Sequence, residues 1–220
     1  MIMTDIATLT AHAAERLEAE SPKRREVIEG ARRVFFDKGF DGASMDEVAK
    51  AAGVSKATIY AHFASKDELF EALVLSERDR SAERLFAVDP AVDDIAGVLQ
   101  HIGMSFMTMM VRPDNIRLVR MVVGVAEKFP RIGHSFFEAG PCHGGRRMAD
   151  LLRGEEARGR LDLNGEDSVE VAHLFLNMCH GNFVKAMMFT GAEPPTAEAI
   201  ATAVERAVRV FLAAYGAKVG

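Results

Sequence analysis

The segment from residue 44 to 66, SMDEVAKAAGVSKATIYAHFASK, constrains the fold more than any other part of the chain. Ser44 and Glu47 have the S-x-x-E spacing of a capping box, which predicts the start of a helix. Gly53 is the residue type that most readily ends a helix in a left-handed conformation, and Ser55 is a natural N-cap for the next helix. The segment therefore predicts two short helices joined by a tight turn.

The second predicted helix has an apolar side and a polar side. Ile59 and Phe63 are four residues apart and are expected to point inward. The other positions from Ser55 to Ala64 contain no acidic residue and carry hydroxyl, cationic and aromatic groups of the kind that contact DNA phosphates. The helix start at Ser55 also offers free N–H groups to a phosphate. The pattern indicates a helix-turn-helix whose second helix enters the major groove, although bare helical corners without DNA binding are common.

Residues 30–74 resemble the N-terminal DNA-binding domain of the TetR (tetracycline repressor) family. The matching residues are Phe35, Gly39, Phe40, Ser44, Val48, Ala49, Gly53, Val54, Ser55, Thr58, Ile59, Tyr60, Phe63, Lys66, Leu69 and Phe70. The resemblance implies base contacts from Lys56, Ala57, Tyr60 and Ala61. It implies phosphate contacts from Ser44, Ser55, Thr58, Tyr60, His62 and Lys66. Ala57 stands where the family often has Gly or Pro, which puts its base contact in doubt.

The charge distribution agrees with a DNA-binding head on an acidic body. Residues 21–66 contain nine Lys or Arg and six Asp or Glu, a net charge of +3, which leaves −8 for the rest of a chain whose net charge is −5. A positive head can hold phosphates while an acidic body discourages binding in the wrong orientation. Lys23, Arg24 and Arg25 are either part of the DNA contact or an ordinary solvated cluster.

The length and periodicity predict an all-α protein in two domains. A chain of 220 residues suits one DNA-binding domain and one larger helical domain. The predicted divisions are an N-terminal arm at 1–20, a helix-turn-helix domain at 21–66, and an effector-binding and dimerisation domain at 67–220. Helices are expected over about 21–38, 65–87, 91–111, 114–128, 131–158 with a break or kink at Gly140–Pro141, 167–190, and 196–215. Ser21 and Thr196 are the predicted N-caps of the first and last of these helices, and Asp89–Pro90 is expected to form a turn.

Several classes of protein are disfavoured. No apolar run reaches the roughly 20 residues of a membrane span, and the first residues do not resemble a signal peptide. We therefore expect a cytoplasmic protein in which Cys142 and Cys179 stay reduced. Enzyme motifs are absent from the sequence, and no cofactor is predicted. Inert buried cysteines are the favoured interpretation, with metal binding by Cys–His neighbours and thiol sensing as open alternatives.

The last two predicted helices carry broad apolar stripes. Since two identical DNA-binding heads require a dimer, we expect these stripes to form the dimer interface, and the family resemblance supports a four-helix arrangement. The assigned residues are Val171, Leu174, Phe175, Val204, Val208, Phe211 and Leu212. The alternative is that the stripes only fill the core of one subunit.

Met-rich and Phe-rich stretches in the body suggest an effector cavity, because Met suits adaptable apolar surfaces and ligand pockets are mostly apolar with a few polar groups. Residues 129–159 also resemble the C-terminal domain of AefR-like members of the TetR family, which implies a ligand-binding body. The candidate pocket residues, with Asn177 and His180 as polar anchors, are Met107, Met110, Phe137, Asn177, Met178, His180 and Phe183. Ordinary core packing is the alternative for each of them.

Together these features predict a ligand-responsive transcriptional repressor. It would bind a palindromic operator as a homodimer and leave the DNA when a small apolar effector binds. One alternative is an activator or a partner-recruiting regulator without a small-molecule pocket. A more remote alternative is an enzyme that retains a vestigial DNA-binding head.

Overall fold

The all-α expectation is confirmed. The structure, a computed structural model, describes residues 21–85 and 94–217, with side chains for 21–78 and 94–217. Within these ranges the chain forms helices and no strand, and the extended pairing is an isolated antiparallel bridge between Leu161 and Gly216. The predicted arm at 1–20 and the turn at Asp89–Pro90 lie outside the described residues.

The first and last described helices begin at their predicted caps. Ser21 caps the first helix by accepting a hydrogen bond from the Arg24 N–H, and Thr196 caps the last. The helix expected from about residue 91 begins at Ile95, after an N-cap at Asp94 that was not predicted. The helices are α1 (Pro22–Gly42), α2 (Met45–Ala52), α3 (Lys56–His62), α4 (Lys66–Leu85), α5 (Ile95–Met110), α6 (Pro113–Ala126), α7 (Pro130–Phe137), α8 (His143–Ala157), α9 (Ser168–His180), α10 (Phe183–Thr190) and α11 (Ala197–Tyr215).

Two predicted helices differ from those observed. The helix predicted at 167–190 is two helices, because Gly181 adopts φ 50° and ψ −137°, a conformation that ends α9 and lets α10 start in a new direction. The break expected at Gly140–Pro141 is a π-helical turn, Glu138–Cys142, between α7 and α8. The wider turn accommodates a proline that lacks the N–H of a regular helix.

The chain forms two compact units. Among the described residues, the first contains 21–83 and 121–137, and the second contains 84–85, 94–120 and 138–217. The predicted domain boundary at residue 66 follows the DNA-binding motif and remains a prediction. The compact unit that contains the motif extends beyond it along α4 and also includes the end of α6 and α7.

The first unit has an aromatic core. Phe70 on α4 lies with its ring centroid 5.1 Å from that of Phe35 and 5.2 Å from that of Phe40, and the ring of Phe129 lies 5.5 Å from Phe40. Edge-to-face contacts of this kind add to the burial of apolar area. This cluster holds α1 and α4 together and thereby supports α2 and α3.

The second unit has a core of aliphatic, Met and aromatic side chains. Phe175 on α9 packs edge-on against Phe211 on α11, with ring centroids 5.2 Å apart, and Phe211 packs against Tyr215. Met107, Leu152 and Val204 join the same buried cluster. The core therefore unites α5, α8, α9 and α11.

Gly30 permits the close approach of α1 and α2. A Cβ atom at this position would lie 2.5 Å from the Ala52 Cβ and 2.8 Å from the Ala52 backbone. We expect Gly30→Ala to destabilise the first unit by about 1–3 kcal/mol, since the clash is with backbone that must shift. Chemical denaturation followed by circular dichroism measures the change. Gly42→Ala is the control, because a Cβ there meets only the Lys38 Cβ at 3.5 Å, and equal destabilisation of both variants would contradict the packing argument.

Candidate nucleic-acid interface

The first helix of the helix-turn-helix is α2, and its ends are capped as predicted. The Ser44 Oγ accepts a hydrogen bond from the Glu47 N–H at 3.3 Å, and the Glu47 carboxylate accepts from the Ser44 N–H at 3.1 Å, which completes the capping box. At the other end Gly53 has φ 67° and ψ 30°, the left-handed conformation that ends a helix. The Val54 N–H then donates to the Ala49 carbonyl at 3.1 Å and fixes the turn.

The second helix is α3, which begins after Ser55. The Ser55 Oγ accepts from the Thr58 N–H at 3.1 Å. Ile59 and Phe63 are buried, as the four-residue spacing predicted. Tyr60 is 51% exposed, and Lys56, Ala57 and Ala61 are also exposed, whereas Thr58 and His62 are half-buried. The buried pair therefore anchors a short helix whose other sides face solvent.

Two serines predicted to hold phosphates use their hydroxyl groups as caps. The Ser44 hydroxyl donates to the Glu47 carboxylate at 2.8 Å, so its one proton is already engaged. The Ser55 and Thr58 oxygens lie 2.8 Å apart. Because two hydroxyls that share one hydrogen bond keep a second proton, this pair can still donate to a phosphate. The geometry thus favours the Ser55–Thr58 pair over Ser44 as a phosphate donor.

Lys66 has a different environment from the one expected of a phosphate ligand. Its ammonium group donates to the carbonyls of Phe40 at 2.8 Å and Ala43 at 3.0 Å, lies 3.4 Å from that of Asp41, and sits 4.6 Å from the centroid of the Phe40 ring. An ammonium has three protons, and these carbonyls can accept all of them. Lys66 therefore caps the carboxyl end of α1 by donating to its last carbonyl groups.

A cross-helix ion pair lies at the exposed surface of the motif. The Lys56 Nζ lies 2.6 Å from the Asp46 Oδ1, with the two side chains 52% and 70% exposed. The hydrogen bond that the Lys56 ammonium donates to the Asp46 carboxylate raises the pKa of Lys56 above its ordinary value. Sequence reasoning selected Lys56 and missed Asp46. The acidic residue falls outside the α3 segment, and only the folded turn brings it close.

The basic cluster at the start of α1 is largely engaged within the protein. Lys23 pairs with Glu26 at 2.7 Å, and the Arg24 guanidinium lies 4.9 Å from the centroid of the Phe63 ring. Arg24 thus covers the buried end of α3. Arg25 is exposed.

The predicted dimer residues divide into two groups, and their place in a dimer interface remains a prediction. Val171, Phe175, Val204, Val208 and Phe211 are buried and belong to the core of the second unit. Their side chains are covered by their own chain. Leu174 is 45% exposed and Leu212 is half-buried, and Val210, which was not predicted, is half exposed. The stripe read from the sequence combined a core-facing side with an outward-facing side.

The predicted pocket residues also differ in burial, and some are exposed. Met107 is buried in the core of the second unit, and Met110, Met178 and Phe183 are half-buried against it. Asn177 is exposed on α9, and Phe137 is exposed on α7 in the first unit. Phe183 also lines a surface groove of about 590 Å³ beside Gly181, Asn182, Thr196, Thr202 and Arg206, which the sequence did not predict.

His180 has an unusual environment at the end of α9. Its Nε2 atom is buried and has no hydrogen-bond partner among the described residues, and its ring lies 6.1 Å from that of Phe106. Burial, with a smaller contribution from the Lys185 charge, lowers the pKa of His180 below its ordinary value. A neutral imidazole with an unsatisfied nitrogen can form a hydrogen bond with a polar group that approaches it beside Phe106.

The cysteines have little thiolate character. Burial raises the pKa of Cys179 to about 12 and raises that of Cys142, which is half-buried. Since the thiolate is the reactive form, these environments suppress thiol reactivity.

Over the described residues, no three His, Cys, Asp or Glu side chains converge as metal ligands. Among the described helices, none is both long and apolar enough to cross a bilayer.

Comparisons with known proteins agree with this geometry. Residues 27–73 match the family model described as "Bacterial regulatory proteins, tetR family", and residues 97–217 match "AefR-like transcriptional repressor, C-terminal domain". The HTH-type transcriptional repressor AcnR of Corynebacterium efficiens is 27% identical over 186 residues, covering 84% of this chain and 92% of that protein. A known repressor is therefore similar to this chain over both units.

Solved structures show the same similarity. A TetR-family transcriptional regulator from Mesorhizobium loti superposes with a TM-score of 0.84 at 28% identity, covering 90% of this chain and 100% of the other. The Flavonoid-responsive Regulator FrrA gives a TM-score of 0.76 at 30% identity over 90% of this chain and 98% of FrrA. The fold and the capped α2–α3 motif define a helix-turn-helix DNA-binding regulator.

The chain belongs to the TetR family of transcriptional regulators, as its two family matches and its full-length relatives show. Its relatives are DNA-binding repressors and regulators, not enzymes.

Proposed function

We propose that this protein is an effector-responsive repressor that binds a palindromic operator as a homodimer. The observation that carries the proposal is the exposed surface of α3. It presents Lys56, Ala57 and Tyr60 to solvent on a helix anchored by buried Ile59 and Phe63. A helix presented in this way can enter the major groove and contact base edges, while the Ser55–Thr58 hydroxyl pair reaches a phosphate.

Binding as a homodimer follows from the size of the reading surface. The helix α3 has seven residues, and one such helix reads only a few base pairs. Two copies related by a twofold axis read two half-sites about one helical turn apart, which makes the operator palindromic. Leu174 on α9 and Val210 on α11 are the apolar side chains that we assign to the contact between copies, in place of the buried residues of the sequence prediction. Their exposure on neighbouring helices of the second unit supports this assignment.

Replacement of Lys56 by Ala or of Tyr60 by Phe is expected to weaken specific operator binding by roughly 1–3 kcal/mol each, since each change removes one base or phosphate contact. The operator is first selected from random DNA with the full-length protein. Fluorescence anisotropy then gives the affinity, and light scattering gives the number of chains on one operator, which we expect to be two.

Lys185→Ala is the matched control for this experiment. Lys185 is exposed on α10, outside the helix-turn-helix, and its loss changes the net charge equally. If both α3 variants bind the operator like the unmodified protein, the assignment of α3 as the reading helix is refuted. One chain per operator would refute the homodimer.

Effector binding is assigned to the region around His180. The support is an unsatisfied buried imidazole nitrogen whose ring lies 6.1 Å from that of Phe106, in a unit where Met110, Met178 and Phe183 are half-buried against the core. A small, mostly apolar molecule with one hydroxyl group complements these side chains. The similarity to a flavonoid-responsive regulator makes hydroxylated aromatics the first class to test. In a dimer, the distance between the two α3 helices must match the distance between the half-sites. An effector that binds more tightly to a conformation in which these distances differ lowers the fraction of dimers bound to the operator.

We expect His180→Leu to raise the effector concentration needed for half release of the operator by about tenfold, the equivalent of one lost hydrogen bond. A panel of flavonoids and simpler phenols, screened by thermal shift, supplies the probe. Surface-exposed His134→Leu is the control and should leave release unchanged.

The switch itself requires reciprocity, because operator DNA must weaken effector binding by the same factor as the effector weakens operator binding. A panel member that binds without changing operator affinity would contradict the proposed switch.

A further inference from the structure

The Asp46–Lys56 pair has a position that stability alone does not explain. It joins the second residue of α2 to the first residue of α3 across the turn, at 2.6 Å and with both side chains more than half exposed. An exposed ion pair typically contributes only about 0–1 kcal/mol. The start of α2 already has a capping carboxylate in Glu47, which also pairs with Lys38. The cap of α2 therefore does not depend on Asp46.

An acidic side chain on a DNA-facing surface has an electrostatic cost, because it repels phosphates. It also engages the ammonium group of Lys56, which would otherwise be free to pair with any phosphate. Tyr60 lies one helical turn from Lys56 on α3 and is exposed as well. The three side chains form one polar surface at the point where α3 would meet the groove.

The chemistry of this surface matches one base pair. In the major groove, guanine presents two acceptors, N7 and O6, and its paired cytosine presents the N4 amino donor. A lysine ammonium donates to the guanine acceptors, and an aspartate carboxylate accepts from the cytosine amino group. A donor and an acceptor held 2.6 Å apart can engage the neighbouring O6 and N4 groups together.

We infer that Asp46 and Lys56 act together as the reader of one G·C pair in each operator half-site. Lys56 contacts the guanine, and Asp46 contacts the cytosine while it keeps Lys56 from pairing with phosphates. Asp46 is thus a specificity-determining residue. This inference rests on the proposed function, since it requires α3 to enter the major groove.

Removal of the carboxylate should have two opposite effects. Asp46→Ala frees Lys56 for phosphates, so binding to random-sequence DNA should strengthen and its salt dependence should steepen by about one phosphate contact, a slope change of roughly 0.9 in log K against log[salt]. The same variant loses the acceptor for cytosine, so discrimination at one position of the half-site should fall. A residue with only a structural role would change neither the salt slope nor the preference at a single position.

The test is in vitro selection from a random DNA pool with the full-length protein, Asp46→Ala and Lys56→Met, followed by anisotropy titrations at several salt concentrations. We expect the unmodified protein to require G·C at one fixed position of each half-site. Both variants should lose at least tenfold of the discrimination between G·C and A·T at that position and keep the rest of the motif. Asp37→Ala, which removes an exposed acid from α1, is the matched control and should change neither motif nor salt slope.

Each outcome is informative. If the protein selects a motif and Asp46→Ala leaves both the motif and the salt slope unchanged, the inference is overturned and the proposed function stands. An A·T pair at the position that responds to Asp46 also overturns it. If no motif is selected by the unmodified protein, the proposed function fails together with the inference. Circular dichroism of each variant, matched to the unmodified spectrum, shows that a lost preference does not come from unfolding.

Discussion

Replacing Phe70 with Ala is expected to destabilise the first unit by about 3–5 kcal/mol, the typical cost of deleting a large aromatic side chain from a core. Phe70 is fully buried on α4 and packs against Phe35 and Phe40 on α1. Its removal leaves a cavity that rigid helices fill only in part. The free energy of unfolding, from urea denaturation followed by circular dichroism, measures the effect.

The same variant links stability to DNA binding. Since the aromatic cluster supports the helices that present α3, operator affinity should fall as the first unit loses its fold. Phe189→Ala is the control, because Phe189 is 84% exposed and its loss should change stability by less than about 0.5 kcal/mol. A Phe70→Ala protein as stable as this control would contradict the described core.

The second large effect is expected at Glu155. This carboxylate is buried and lies 2.6 Å from the Arg158 Nη1 and 2.5 Å from the Arg160 Nε. Its negative charge therefore pairs with the positive charges of two guanidinium groups. Removing one partner of a buried pair typically costs about 3–5 kcal/mol. We expect Glu155→Ala to fall near 3 kcal/mol, since Arg158 is exposed and can recover its hydration.

The position of Glu155 explains why the effect should extend beyond the pair. The segment that follows Arg160 is tied to the end of α11, through the Asp162 N–H to the Tyr215 carbonyl at 2.8 Å and the Ala217 N–H to the Arg160 carbonyl at 3.2 Å. Loss of the carboxylate loosens Arg160 and this connection together. Urea denaturation of Glu155→Ala gives the cost.

The exposed pair of Asp150 and Arg153 on α8 provides the comparison. Asp150→Ala should cost about 0–1 kcal/mol, because solvent screens an exposed ion pair. Equal costs for the two variants would mean that the burial of Glu155 does not make its charge essential.

Local signals in the sequence were sufficient for much of the fold. The capping residues Ser21, Ser44, Ser55 and Thr196 were each predicted and each accept the expected backbone hydrogen bond. These interactions join residues three apart, so they depend on the local sequence and little else. The inward direction of Ile59 and Phe63 was predictable for the same reason, since it follows from helical spacing.

The features that the sequence left undecided depend on neighbours distant in the chain. The apolar stripes of α9 and α11 indicated burial correctly, but the sequence does not say whether a side chain is covered by its own subunit or by a partner. The chain folds so that Phe175 and Phe211 cover each other, which leaves Leu174 outside. Gly181 was likewise read as part of one helix, because a single glycine within a helical pattern is usually tolerated.

The sequence by itself determined the helix-turn-helix, because caps, turn residues and helical spacing act over three to four residues and are encoded directly. Only the tertiary structure decided how the polar groups of that motif are used. It places the Lys66 ammonium against the end of α1 and Asp46 beside Lys56. Such pairings join residues 10 to 26 positions apart, so they exist only after the helices pack. The segment from 44 to 66 thus specifies a DNA-binding element, and packing determines which of its side chains remain free to contact DNA.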